Sequence, residues 1–328
     1  MESSESHDPG ERSVDVQAPI QAGNLTFIER HRIPPPLFIF LSLVFIFFLY
    51  QGIPIVITLI VYGFNITAGE KLITPDNVNR WRFYTGLSQV VLLLLPTLAL
   101  ARLVSVRSWE LFRLRLPKMR LFFPLLIGIL ALQQMLQIYL IFQDKIPLPE
   151  AIEKFSRQFK EAYEEVARVL TGSASVPELL WVILIIAIIP AIAEEFLFRG
   201  LVQRSLEKSI TPLRGAVVTG VLFGAYHLNP GSFIPLAVLG IYLGFLVMRA
   251  DSLWVSVAAH FYNNAFACVA IFFHQNDDAI ITGNTKEMSM LELLGTFWLF
   301  GVIFLLSTYY FVHLTKAKTA PDGQLKPL

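Results

Sequence analysis

Residues 178–200 read ELLWVILIIAIIPAIAEEFLFRG, and the fold turns on how this stretch is housed. At 1.5 Å per residue it is long enough to cross a hydrocarbon core about 30 Å thick. Yet it carries Glu194, Glu195 and Arg199 inside the apolar run. Each ionisable group within a span costs roughly 2.5–3.5 kcal/mol on insertion scales. Three together imply other helices that shield them from lipid. Seven further apolar runs supply those helices, at roughly 37–64, 83–101, 121–142, 214–228, 233–249, 252–274 and 291–314. The expected fold is therefore all-α, a polytopic transmembrane helical bundle of about eight spans. Composition agrees: 55% of the 328 residues are hydrophobic and 16% charged, against about a quarter charged in soluble domains.

Working outward, residues 1–36 are a polar N-terminal tail, read as flexible. Residues 37–142 hold the first three transmembrane helices, and 143–177 form an extramembrane segment. Residues 178–274 hold the helices with ionisable groups, and 275–328 the last helix and a C-terminal tail. The first run is interrupted by Gln51-Gly52 and Pro54, which predicts a kink or tilt. The fifth and sixth runs are short and joined by Asn229-Pro230-Gly231-Ser232, a strong turn signal. In 143–177, Ile152, Phe155, Phe159, Tyr163, Val166 and Leu170 recur at three- and four-residue spacing, an amphipathic helix. It would lie on the membrane or cap the bundle. Loop 102–120 carries six Lys and Arg, namely Arg102, Arg107, Arg113, Arg115, Lys118 and Arg120, so it is expected on the cytoplasmic side. Alternation then places both termini there too, as a multi-pass protein of a bacterial plasma membrane.

Several classes are disfavoured. The net charge of +1 and the lack of basic patches give no sign of a nucleic-acid partner. The single cysteine, Cys268, allows no disulfide framework. No internal repeat points to a two-halved transporter. The expected partners are membrane lipids and a peptide or protein substrate of unknown identity.

Glu195 and Arg199 are four residues apart and can pair on one helix face. Glu194 lies about 100° round the helix from Glu195, so it is left free to act as a general base or acid. The fifth run ends in Phe223-Gly224-Ala225-Tyr226-His227, and the seventh holds His260-Phe261-Tyr262-Asn263-Asn264. Under the expected topology Glu194, His227 and His260 lie at similar depth on three helices. That is what a buried, water-containing site requires.

Glu-Glu-x-x-x-Arg, Phe-x-x-x-His and His-x-x-x-Asn, in that order on successive apolar helices, resemble the CAAX protease and bacteriocin-processing family. The turn Asp251-Ser252-Leu253-Trp254 is also similar. The family includes the type II CAAX prenyl endopeptidases, and the resemblance covers roughly residues 178–274. It implies an intramembrane endopeptidase in which Glu194 activates water. His227 and His260 would complete the site, Asn264 would help hold the oxyanion, and Glu195 and Arg199 would support it. The family is usually labelled metalloprotease. Glu194, His227 and His260 could bind zinc and leave an open position for water, yet the same groups could act without metal. The alternative is a non-proteolytic scaffold or immunity-type protein that binds a partner through the same pocket.

Overall fold

The computed structural model describes residues 25–62, 73–74, 76–105, 107–147, 149–274 and 288–315. The first 24 residues of the polar tail and the C-terminal tail from 316 onward lie outside them. The described residues form helices in the order α1 (Pro35–Ile60), α2 (Val78–Val104), α3 (Met119–Gln143), α4 (Glu150–Thr171), α5 (Val176–Leu206), α6 (Pro212–Tyr226), α7 (Pro230–Ala250), α8 (Leu253–Phe273) and α9 (Met290–Leu314), with no strand among them. Seven of these are long and apolar enough to cross a membrane. The fifth apolar run becomes α6, which has 15 residues. At about 22 Å it is too short to cross alone. The sixth extends further than its apolar core suggests, to 21 residues, because the Pro230–Ser232 turn continues into it.

Three spans carry a proline in mid-helix: Pro54, Pro96 and Pro190. Proline has no N–H, so the carbonyl four residues earlier loses its helical partner. In each case the helix widens into a π turn just ahead, at Phe48–Gly52, Gln89–Leu94 and Leu184–Ile188. The kink expected near Gln51-Gly52 takes this form. A fourth π turn, Phe196–Gln203, begins directly after Glu195. Such widened turns cluster at functional sites, and here they turn Tyr50, Gln89 and Arg199 off the regular helical repeat.

Helices α6 and α7 form a hairpin packed backbone to backbone. A Cβ on Gly220 would fall 2.3 Å from the Ile241 amide nitrogen, and Gly240 rests on the Gly220 backbone. Small residues allow this approach, and it draws the C-terminus of α6 deep against α5. The start of α8 is fixed differently. Asp251 takes a left-handed conformation, φ 47°, that stops α7. The strand-like stretch before α3 then pins the next turn: Leu253 N–H donates to the Arg113 carbonyl (3.0 Å), Trp254 Nε1 to Leu114 (3.2 Å) and Ser252 Oγ to Arg115 (2.6 Å). This anchorage sets the height of His260 on α8.

The amphipathic segment caps the opposite end. Arg82, at the start of α2 and 1% exposed, donates to the carbonyls of Leu170 (2.9 Å), Val169 (3.4 Å) and Gly172 and pairs with Glu178 at 2.6 Å. Those are carbonyls that a helix end leaves unsatisfied, so one guanidinium holds α4 to α2 and α5. The side chains of Ile152, Phe155 and Phe159 lie outside the described residues. Removing Arg82 strands the carbonyls, and charged hydrogen bonds are worth about 1.5–3 kcal/mol. Arg82→Ala should therefore speed limited proteolysis between residues 144 and 172 by about tenfold or more. An unchanged cleavage rate would mean that α4 is held by other contacts.

Candidate active site

The ionisable residues of α5 separate as helix geometry requires. Glu195 is fully buried and its Oε1 accepts from Arg199 Nη1 at 2.6 Å. Arg199 is also shut from solvent; its Nη2 donates to the Gly240 carbonyl at 2.8 Å, reaching the backbone of α7. Its guanidinium lies 4.7 Å from the centre of the Phe223 ring, a favourable cation–π arrangement. The same Glu195 oxygen accepts from His260 Nδ1 at 2.9 Å. A carboxylate oxygen paired with an arginine accepts, so Nδ1 of His260 bears a proton, and in the neutral ring Nε2 presents a lone pair.

Glu194 has other company. Its side chain is 15% exposed and its Oε2 lies 3.8 Å from His227 Nε2. That is beyond hydrogen-bond reach, and Oε2 is buried without a partner. His227 closes α6 and donates from Nδ1 to the Phe223 carbonyl at 2.7 Å. A carbonyl accepts only, so Nδ1 bears a proton, and in the neutral ring Nε2 is an acceptor. Glu194 Oε2 and His227 Nε2 thus face one another at 3.8 Å. A single water about 2.8 Å from each would satisfy both.

Phe223 joins the two sets. Its buried ring contacts His227 at 4.6 Å, His260 at 5.9 Å and Phe198 at 5.1 Å. The expected trio of Glu194, His227 and His260 is therefore divided between two carboxylates: Glu194 faces His227, and Glu195 holds His260. Asn264, one turn beyond His260, donates to the Ile186 carbonyl at 3.2 Å. This is the oxygen that Pro190 leaves free, so Asn264 seals α8 onto the π turn of α5.

Sequence reasoning passed over several neighbours. Tyr50 on α1 accepts from Gln89 on α2 at 3.3 Å, and Tyr163 belongs to α4, which packs against the α6–α7 turn. Shielding of its hydroxyl, together with the nearby Glu194 charge, holds the Tyr163 phenol above its ordinary value. Beside the α5–α8 seam lies an apolar groove of about 650 Å³, whose walls include Ile188, Ile192, Val257 and Phe261. It runs along the face of α5 that bears Glu195.

Each imidazole has its Nδ1 tied by a hydrogen bond and its Nε2 free, as ligating histidines have. Among the described residues, however, no three His, Cys, Asp or Glu side chains come together closely enough to hold one ion. The donor set as placed does not fit zinc.

No curated protein and no solved structure matches the chain. Residues 176–266, from the start of α5 to beyond His260 and Asn264 on α8, match the family model described as Type II CAAX prenyl endopeptidase Rce1-like. The resemblance read from the three motifs thus holds at the level of the family, and these helices are similar to those of a family of membrane proteases.

Proposed function

We propose that the protein is an intramembrane endopeptidase in which Glu194 activates a water molecule for attack on a peptide carbonyl. The observation that carries this reading is the approach of Glu194 Oε2 and His227 Nε2 to 3.8 Å, a spacing that one water can bridge. A water donating to both has its oxygen lone pairs turned away from them, toward an incoming carbonyl carbon. Glu194 takes the proton as the oxygen–carbon bond forms. His227 holds the water's second hydrogen and so fixes its orientation. His260, fastened to Glu195, and Arg199, fastened to Gly240, keep α5, α7 and α8 in register around the pair. Lys and Arg gather at the end of the bundle formed by loop 102–120 and residues 204–214, and we take that end as cytoplasmic. The apolar groove suits an aliphatic or lipid-modified portion of the substrate.

The test is reconstitution in liposomes with a library of membrane-protein peptides, new termini being read by mass spectrometry. Wild type should create termini that Glu194→Ala does not. If wild type creates none, or if the biological role survives in Glu194→Ala, a partner-binding scaffold becomes the better reading. Metal content bears on the same site. Chelator-treated protein is expected to keep at least half its activity, on the order of an unperturbed rate. Stoichiometric zinc lost from both His227→Ala and His260→Ala would instead place an ion there.

A further inference from the structure

The apolar groove beside the α5–α8 seam opens outward from the bundle. Of the side chains on its walls, Leu116 and Met119 are 87% and 80% exposed, and Ile188 is exposed as well. On a chain that spans a membrane, such surface meets lipid. One rim of the groove is the stretch Arg115-Leu116-Pro117-Lys118-Met119-Arg120, in which three exposed cations alternate with exposed apolar side chains. That pattern suits the level at which headgroups meet hydrocarbon. Trp254 agrees with it. Its ring lines the groove and its Nε1 donates to the Leu114 carbonyl at 3.2 Å, and tryptophan is enriched at membrane interfaces. From Trp254 the groove follows α8 as far as Phe261, a rise of about 10 Å.

A polar recess adjoins this rim. It shares Leu116 and Pro117 with the groove and is lined also by Arg115, Lys118, Asp251 and Ser252. The Asp251 carboxylate is matched by Arg113 at 3.1 Å and by Arg115 at 3.2 Å. Ser252 donates its hydroxyl proton to the Arg115 carbonyl. Lys118 has no acidic partner among the described residues. The recess therefore keeps an excess of positive charge where the groove reaches the interface.

Neither feature alone selects a ligand. A hydrocarbon chain gains little by leaving the bilayer for a groove as apolar as the bilayer, so the groove takes whichever tail is held at its mouth. The recess sets which tail that is. We propose that groove and recess together bind one anionic phospholipid, its phosphate at Lys118 and Arg115 and one acyl chain along α5 and α8. The phosphate oxygens accept from the Lys118 ammonium and from the Arg115 donors that Asp251 leaves free. A zwitterionic lipid would bring a cation of its own into this cluster and is disfavoured. A second copy of the chain fits poorly, because its helices would bury Arg115, Lys118 and Arg120 without partners. This inference goes beyond the endopeptidase reading and stands without it. A substrate that uses the same groove has to displace the lipid tail.

The test uses full-length protein, stripped of lipid in detergent and titrated with phosphatidylglycerol or phosphatidylcholine of the same acyl chains. Bound lipid is counted by native mass spectrometry. Each cation near the surface raises the affinity for anionic lipid about fivefold, so wild type should take up one phosphatidylglycerol at least about tenfold more tightly than phosphatidylcholine. The preference should shrink as salt is added. Arg115→Gln combined with Lys118→Gln should cut it below about threefold. Both side chains are exposed, so the melting temperature should hold. The groove is tested without altering it: phosphatidylglycerol with a diazirine in one acyl chain should label wild type between Trp254 and Phe261. Equal uptake of the two lipids, a preference that survives in the double variant, or labelling that misses this stretch of α8 each overturns the proposal. Masses of two chains without lipid would give the groove to a second copy and overturn it too. None of these readouts depends on cleavage, so failure of the endopeptidase reading and failure of this site are told apart.

Discussion

Glu194→Gln should lower kcat by about three to four orders of magnitude, near the upper range for loss of a general base, while the protein inserts and melts as wild type does. The amide has almost the shape of the carboxylate but cannot take a proton at neutral pH. Stability should not suffer, because Oε2 has no hydrogen bond to lose and the side chain keeps some access to solvent, 15%. Glu194→Asp tests position rather than chemistry. It keeps the base but withdraws it by about one bond length from His227 Nε2, and a displacement near 1 Å costs about 10²-fold. The expected order of rates is wild type, Asp, then Gln, with KM nearly constant through the series. The check is steady-state cleavage of one peptide by all three proteins, beside their melting curves. A Gln variant with more than a tenth of wild-type kcat would end the assignment of Glu194 as base.

Much of this site was legible before any coordinates, for identifiable reasons. Helix periodicity alone separates Glu194 from Glu195 and pairs Glu195 with Arg199, because both follow from 100° per residue. The Asn229-Pro230-Gly231-Ser232 turn and the apolar runs are local signals, and the helices formed where they indicated. What local signals do not encode is which carboxylate each histidine meets. His260 bonds to a residue 65 positions earlier in the chain, and the choice of Glu195 over Glu194 depends on how α8 is rotated. That rotation is set by the contacts of Arg113–Arg115 with Ser252–Trp254 and by the seal from Asn264 to Ile186. Tyr50 and Gln89 were invisible for a different reason. They are polar residues in long apolar helices with no motif spacing to mark them, and both lie in π turns. The prolines that accompany those turns are plain in the sequence: Pro54 and Pro96 could have marked Tyr50 and Gln89 as lying at widened turns.

The largest expected effect on stability lies one residue from Glu194. Glu195 and Arg199 are both fully buried, 2.6 Å apart, in the interior of a membrane bundle. Removing one partner leaves the other charge uncompensated, which typically costs about 3–5 kcal/mol. Whole-protein stabilities are about 5–15 kcal/mol, so either Glu195→Leu or Arg199→Leu should lose a large share of the folded material. Arg199→Leu also frees the Gly240 carbonyl, and Glu195→Leu also releases His260 Nδ1. The double variant buries no stranded charge and should be more stable than either single, with a coupling energy of a few kcal/mol, about 2–3 or more. It should still be slow, because His260 has lost the carboxylate that fixes its ring and tautomer. Reversible unfolding in mixed micelles measures the cycle, and cleavage assays on the folded fraction measure the rate. Additive losses, with the double variant as unstable as the two singles summed, would show that this pair does not hold α5 to α7 and α8. A double variant with full activity would show that the orientation of His260 does not matter to the reaction.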